Sequence, residues 1–190
     1  MKSFLIIISC VCWLFPNMSL AELISDEDKS IALVERLTTP NSRPEFEKII
    51  SEMYDISDHA MPLLAEKIKD EGEDEKLRSD AIYVLGRMGS KAEKHVVMLI
   101  KELKDQKNSM DIRVAAAGAL GRIGKPASLA VTTLDQYMYG EDKWLASVSE
   151  TALKSIGTPD AKAALKLFKE RVAAAEFIGP AVPPEEKKKR

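Results

Sequence analysis

One internal repeat constrains this chain more than anything else in it. The stretch LRSDAIYVLGRMG, from Leu77 to Gly89, returns as IRVAAAGALGRIG from Ile112 to Gly124 and, more weakly, as LASVSETALKSIG from Leu145 to Gly157. Leu85 to Leu120 is a step of 35 residues and Leu120 to Leu153 one of 33, and Gly89, Gly124 and Gly157 keep the same steps. Self-similarity at such a period is the mark of stacked supersecondary units, none of which can cover its apolar face alone. Within each copy, positions 77, 81, 84, 85 and 88 and their counterparts fall on one side of a helix. No alternating strand pattern occurs, so the expected class is all-α.

Small residues such as Ala115-Ala116-Ala117-Gly118-Ala119 recur inside the copies, which lets neighbouring helices approach closely. The closing glycines supply the left-handed conformation that ends a helix. Around the copies, periodicity predicts helices in pairs: 44–54 with 58–69, 76–88 with 92–104, 111–123 with 126–139, and 143–156 with 159 to about 177. Ser90 and Glu93 form a candidate capping box, Thr158 a candidate N-cap, and Pro159 the first helical position. A preceding helix over 22–38 has Ser25 and Asp28 as a cap and Ile31, Val34 and Leu37 as its apolar stripe. The expectation is an α-solenoid of about four helix pairs with an N-terminal capping helix. The domain boundaries are 1–21 for an export signal, 22–41 for the capping helix and linker, 42–178 for the repeats and 179–190 for a disordered tail.

The segment IRVAAAGALGRIGKPASLAVTTL, residues 112–134, resembles the HEAT-like repeat of the phycobilisome-lyase type, with its arginine, its alanine-rich run and its Leu-Gly-x-Ile-Gly turn. The resemblance covers about residues 42 to 172 and is close only in the middle two copies. It implies an α-solenoid and a binding role. It does not imply chromophore attachment.

Residues 1–21 read as a secretory signal peptide cleaved after Ala21: Lys2, then twelve apolar or small residues from Phe4 to Phe15, then Ser19-Leu20-Ala21. The run is short of the ~20 residues that span a bilayer, so no stable membrane insertion follows cleavage. Ile7-Ile8-Ser9-Cys10 loosely matches a lipobox, although Cys10 lies inside the apolar run, and a lipid-anchored envelope scaffold is the alternative. Both cysteines, Cys10 and Cys12, belong to this segment, so the exported chain has no disulfide, thiolate metal site or cysteine nucleophile. Its location is periplasmic or secreted.

Without Lys2 the balance is 27 Lys plus Arg against 30 Asp plus Glu, or −3. That excludes a general nucleic-acid binder, which needs a basic surface. The tail, PAVPPEEKKKR from Pro180, is Pro-rich and then charged, the composition of a solvated segment.

Nothing in the pattern names a reaction. His59 and His95 each stand without a second ligand at metal spacing, and the His-Glu dipeptides by which the deoxyhypusine hydroxylases hold iron do not occur. The run Asp70-Glu71-Gly72-Glu73-Asp74-Glu75 lacks the spacing of a calcium loop and reads as an inter-repeat connection. Arg78 and Arg113 recur at one position, where an arginine bonds carbonyls or an acid of the next copy. Tyr137, Tyr139 and Trp144 flank Gly140-Glu141-Asp142, either as binding anchors or as packing between pairs.

The functional expectation is a non-catalytic protein-interaction module without metal or cofactor, with a lyase or hydrolase on the same scaffold as the rival. If the second helix of each pair lines the concave face, setting Leu64, Leu99 and Leu134 inward turns one strip of that helix outward. The strip includes Leu63, Val97, Met98, Lys101, Lys104, Tyr139, Leu165, Lys166 and Lys169. It is apolar in spots and bordered by lysines, and its expected occupant is an acidic, partly apolar segment of a protein partner.

Overall fold

The computed structural model describes residues 24–37 and 42–178. The described residues form helices only: α1 Asp26–Arg36, α2 Arg43–Asp55, α3 Ser57–Lys69, α4 Glu75–Arg87, α5 Val96–Lys104, α6 Met110–Ile123, α7 Val131–Met138, α8 Lys143–Ile156 and α9 Pro159–Ile178. Tight 3-10 segments, Gly89–His95 and Lys125–Ala130, lead into α5 and α7. The expected signal segment 1–21 and tail 179–190 lie outside the described residues.

Side-chain caps open most of the helices. Ser25, Ser42, Asp74, Ser109, Asp142 and Thr158 each accept a backbone N–H three residues on, from Asp28 at 3.0 Å, Glu45 at 3.4 Å, Leu77 at 3.1 Å, Ile112 at 3.4 Å, Leu145 at 2.8 Å and Ala161 at 3.3 Å. Each such cap is worth ~1 kcal/mol. The capping box expected at Ser90 and Glu93 is absent. After Gly89 (φ +59) the chain winds into a 3-10 segment, and α5 begins at Val96 with no side-chain cap. The single helices expected over 92–104 and 126–139 are therefore each a 3-10 turn followed by a shorter α-helix. In α1 the buried face is Ser30, Leu33, Val34 and, just beyond the helix, Leu37, whereas Ile31 is 43% exposed. Spacings of three and four track that face; the expected stripe stepped by three alone and drifted off it at Ile31.

The core runs unbroken through the stack. Ile49, Met53, Leu64, Ile68, Leu85, Leu99, Leu120, Leu134, Leu153 and Ile156 have no exposed surface. Burying a side chain of this size contributes roughly 1.5–3 kcal/mol. Gly89, Gly124 and Gly157 take φ of +59, +77 and +62, which is why a glycine closes every copy of the motif.

The pairing differs from the expectation by one helix. α3 lies along α4, α5 along α6, and α7 along α8, while α4 meets α5 chiefly through the 3-10 turn. The Leu-Gly-x-Ile-Gly helix is thus the second member of its pair. α4, α6 and α8 also pack directly on one another in a row. A Cβ on Gly86 would sit 2.7 Å from Ala119 Cα, and one on Gly121 would sit 2.7 Å from Ala152 Cα, so the backbones touch at equivalent points. α3, α5 and α7 have no such contact with one another. The stack closes on the α4–α6–α8 side, which is its inner face.

These contacts decide the sign of two alanine substitutions. Alanine gains about 1 kcal/mol over glycine inside a helix. At Gly118 the added methyl meets side chains alone, the end of Arg122 at 3.3 Å and Val148 Cγ1 at 3.9 Å. Gly118→Ala should raise the melting temperature, whereas Gly121→Ala should lower it because Ala152 backbone must move. Equal shifts of one sign in a thermal melt would show that the close approach is not what holds α6 to α8.

Candidate functional site

Three hollows lie along the inner face. A groove of about 620 Å³ crosses α4, α6 and α8 and is lined by Tyr83, Val114, Ala115, Gly118, Trp144 and Val148 among others. It continues past Tyr83 toward Phe46 of α2 in a second hollow of about 530 Å³, and between α6 and α8 in a third of about 270 Å³. The repeat explains the depression. Positions 80 and 83, Asp80 and Tyr83 in α4, become Ala115 and Gly118 in α6. The middle helix therefore presents almost bare backbone between the Tyr83 ring on one side and Trp144 with Val148 on the other.

The walls are ordered by charge and stacking. The Arg122 guanidinium lies over the Tyr83 ring at 4.4 Å, and Arg87 stands 5.8 Å from the same ring while binding Glu47 at 3.0 Å. Phe46 packs at 5.9 Å from Tyr83. Trp144, on the first turn of α8, is 54% exposed. Along the rim formed by the helix N-termini stand Asp74, Glu75 and Asp111. Asp74 is spent on capping α4, and Lys76 is bound to Asp80 at 2.8 Å. The carboxylates of Glu75 and Asp111 make no hydrogen bond or ion pair among the described residues. One rim is thus acidic and open, and the other carries Arg122.

Of the residues weighed from the sequence, Trp144 lines the groove, and the strip on the other helices falls elsewhere. Because the pairing shifts by one helix, the strip chosen on α3, α5, α7 and α9 lies away from the inner face, and none of its residues lines these three hollows. Val97 is 66% exposed, Lys101, Lys104, Lys166 and Lys169 are exposed, and Leu63, Met98 and Leu165 are half-buried against the core. Lys101 borders a small polar hollow of about 160 Å³ with Lys69, Arg78 and Asn108. Tyr139, 40% exposed, packs edge-on against Phe168 at 5.3 Å with Arg171 at 5.2 Å from its ring.

Arg78 and Arg113 hold the pairs together. Arg78 Nε donates to the Ile68 carbonyl at 3.1 Å, and Arg113 Nε to the Leu103 carbonyl at 3.3 Å, each filling an orphan acceptor at the end of its pair's first helix. Arg78 also reaches the next pair, donating to Glu102 at 3.2 Å and Asn108 at 3.1 Å. One repeat later Tyr137 occupies the position of Glu102, and Arg113 lies 5.2 Å from its ring. Asp70 and Asp105 accept the N–H of Gly72 and Lys107 at 2.9 Å, and Glu73 pairs with Lys67, so this acidic run builds a turn.

Among the described residues no three His, Cys, Asp or Glu side chains gather at metal-binding distance. His59 is exposed, and His95 is held below the usual imidazole range by burial and by the nearby Lys69 and Lys94 charges. No described helix is long and apolar enough to cross a membrane.

The family profile of HEAT repeats matches residues 61–154, the stretch from α3 to α8 that contains the three closely packed pairs. The chain is a HEAT-like repeat protein. A solved structure of human deoxyhypusine hydroxylase in complex with glycerol is similar over 84% of this HEAT-like chain and 49% of that one, at 21% identity and a TM-score of 0.48. The HEAT-like chain thus spans about half the length of that protein. No curated protein matches the sequence.

The groove's floor and its Tyr83 wall escaped the sequence reading because they sit where the copies differ. Stepping positions 76, 80, 83 and 87 through the repeat gives Asp111, Ala115, Gly118 and Arg122, a change of residue class at three of the four.

The Arg78 network has a measurable signature. The Arg78 and Glu102 side chains are 10% and 7% exposed. Arg78→Met strands a buried carboxylate and should cost about 3–5 kcal/mol in urea unfolding. Adding Glu102→Met should recover most of the loss. A double variant as unstable as the single one would show that the ion pair is not what Arg78 supplies.

Proposed function

We propose that this protein is an exported, non-catalytic interaction module that takes an extended segment of a protein partner in the groove across α4, α6 and α8. The observation that carries this reading is the gap over Ala115 and Gly118, flanked by the Tyr83 ring and by the half-exposed Trp144. An aromatic or apolar side chain entering the gap buries its surface against the helix once the flexible end of Arg122, 3.3 Å from where a Gly118 methyl would stand, swings aside. Rigid aromatics at its border suit an anchor site. The unpaired Glu75 and Asp111 on the rim call for a basic flank on the occupant, and like-charged segments are repelled. The segment is therefore apolar at its centre and basic beside it. Nucleic acid does not fit an acidic rim. The likeness to lyase-type repeats is taken as one of repeat units, and no residue set in the groove supplies a nucleophile with a base.

Export rests on residues 1–21. Sequencing the N-terminus of protein recovered from the exported fraction should read from Glu22; an intact segment beginning at Met1 in soluble cytosolic protein would remove this part of the proposal.

The outer strip is the second reading, favoured by Val97, which is 66% exposed among lysines and would suit an acidic partner. Photocrosslinking separates the two surfaces. A photoreactive residue at position 115 should trap a discrete partner in cells, and one at position 97 should not. Gly118→Trp, which fills the gap, should reduce the position-115 product at least tenfold without lowering the melting temperature by more than a few degrees. A product formed from position 97 and not from 115 would transfer the site to the outer strip.

A further inference from the structure

The groove's acidic rim and the last stretch of the sequence are complementary in charge, and α9 ends at the rim's end of the stack. α9 passes the Gly140–Asp142 loop where Phe168 and Arg171 pack on Tyr139. It then runs on from Val172 to Ile178, about 10 Å further at ~1.5 Å per residue. α9 therefore ends on the side of the stack that carries Trp144 and the N-termini of α8, α6 and α4. These N-termini hold Asp142, Asp111, Glu75 and Asp74.

Residues 179–190, GPAVPPEEKKKR, present apolar and proline side chains first and four bases last. From position 179 the groove presents the Trp144 ring first and the free carboxylates of Asp111 and Glu75 after it. The distances agree. Five extended residues span about 17 Å and twelve about 40 Å, while packed helices stand ~8–10 Å apart. Five residues are thus long enough to bring Pro183 and Pro184 to Trp144 at the near wall. Twelve are long enough to bring Lys187 to Arg190 to Asp111 on the next helix and Glu75 on the one beyond. Proline-rich segments dock on aromatic surfaces with little ordering cost, because their extended form is already set.

We infer that residues 179–190 of this chain occupy its own α4–α6–α8 groove, with Pro183-Pro184 against Trp144 and Lys187–Arg190 on Asp111 and Glu75. This rests on the reading of the groove as a binding site and adds an occupant tethered at high effective concentration. A partner must then displace the segment, so the module guards its own site against weak or mismatched ligands.

Trp144 reports on the contact, because in a chain from Glu22 to Arg190 it is the one tryptophan. Acrylamide quenching is measured on that chain and on a variant carrying Lys187→Glu, Lys188→Glu, Lys189→Glu and Arg190→Glu. Quenching of Trp144 should be at least twofold weaker in the unsubstituted chain and should rise to the variant's level in 1 M NaCl. A synthetic peptide of residues 179–190 added to the variant should restore protection, and adding Asp111→Lys to the variant should abolish that rescue. The protection should not change with protein concentration. Equal quenching of both chains, with no effect of the peptide, would overturn the inference. Protection that grows with protein concentration would also overturn it, in favour of a second copy's segment. If quenching is unaffected while position 115 still traps a partner, the self-occupancy falls and the binding reading stands.

Discussion

The stack depends on helices whose backbones touch. Gly86 on Ala119 and Gly121 on Ala152 are the same contact one repeat apart, with no room for a methyl group at either glycine. Everything on the inner face follows from that approach. Because α4, α6 and α8 are drawn together, the pair partners α3, α5 and α7 are left further apart, and the row of repeats closes on one side. The Leu-Gly dipeptide of the motif then has two separable jobs. The leucine fills the core with no exposed surface, and the glycine sets the distance to the next repeat. A second glycine, three residues on, takes positive φ and turns the chain away.

The arginines complete what the glycines begin. A solenoid whose inner helices touch only at small residues still needs its pairs locked, and Arg78 and Arg113 do so by bonding the carbonyl ends of α3 and α5. The bond lies within a pair, but Arg78 extends it to Glu102 and Asn108 of the next pair, almost out of water. In the following repeat the same geometry survives with a ring in place of the carboxylate, Arg113 over Tyr137. One position thus tolerates an anion or an aromatic face, because a guanidinium binds both.

How much of this was legible follows from what periodicity can report. Helix class, the closing glycines and the buried Leu64, Leu99 and Leu134 come directly from spacing, since core positions repeat in kind as well as in place. The phase of pairing does not. Two helices joined by a tight Gly89 turn look like a pair in sequence, yet the Asp70–Asp74 connection is the one that joins helices lying side by side. Spacing along a helix says which side is apolar, and nothing about which neighbour covers it. That shift of one helix sets the candidate strip, from Leu63 to Lys169, on helices away from the α4–α6–α8 row. The 3-10 entries into α5 and α7 were hidden for a related reason: their apolar residues are compatible with either winding, and the turn before them decides.

The groove shows why a repeat protein's site is read from its departures. Core positions are held apolar by the need to stack, as in Met88, Ile123 and Ile156, and carry no information about a ligand. Inner-face positions that point to solvent are released from that demand. Here they diverge sharply, from Asp80 and Tyr83 to Ala115 and Gly118 to Val148 and Thr151. A tyrosine wall beside a bare helix and a tryptophan beyond it is a shape that no averaging over the copies would produce. Stacking alone does not call for it, since Gly118 in mid-helix costs about 1 kcal/mol against alanine and, unlike Gly86 and Gly121, has no backbone pressed against it. A position where the cheaper residue would fit, and a glycine stands instead, is one that packing does not explain. The open floor it leaves between Tyr83 and Trp144 is the feature of this surface that a bound side chain would use.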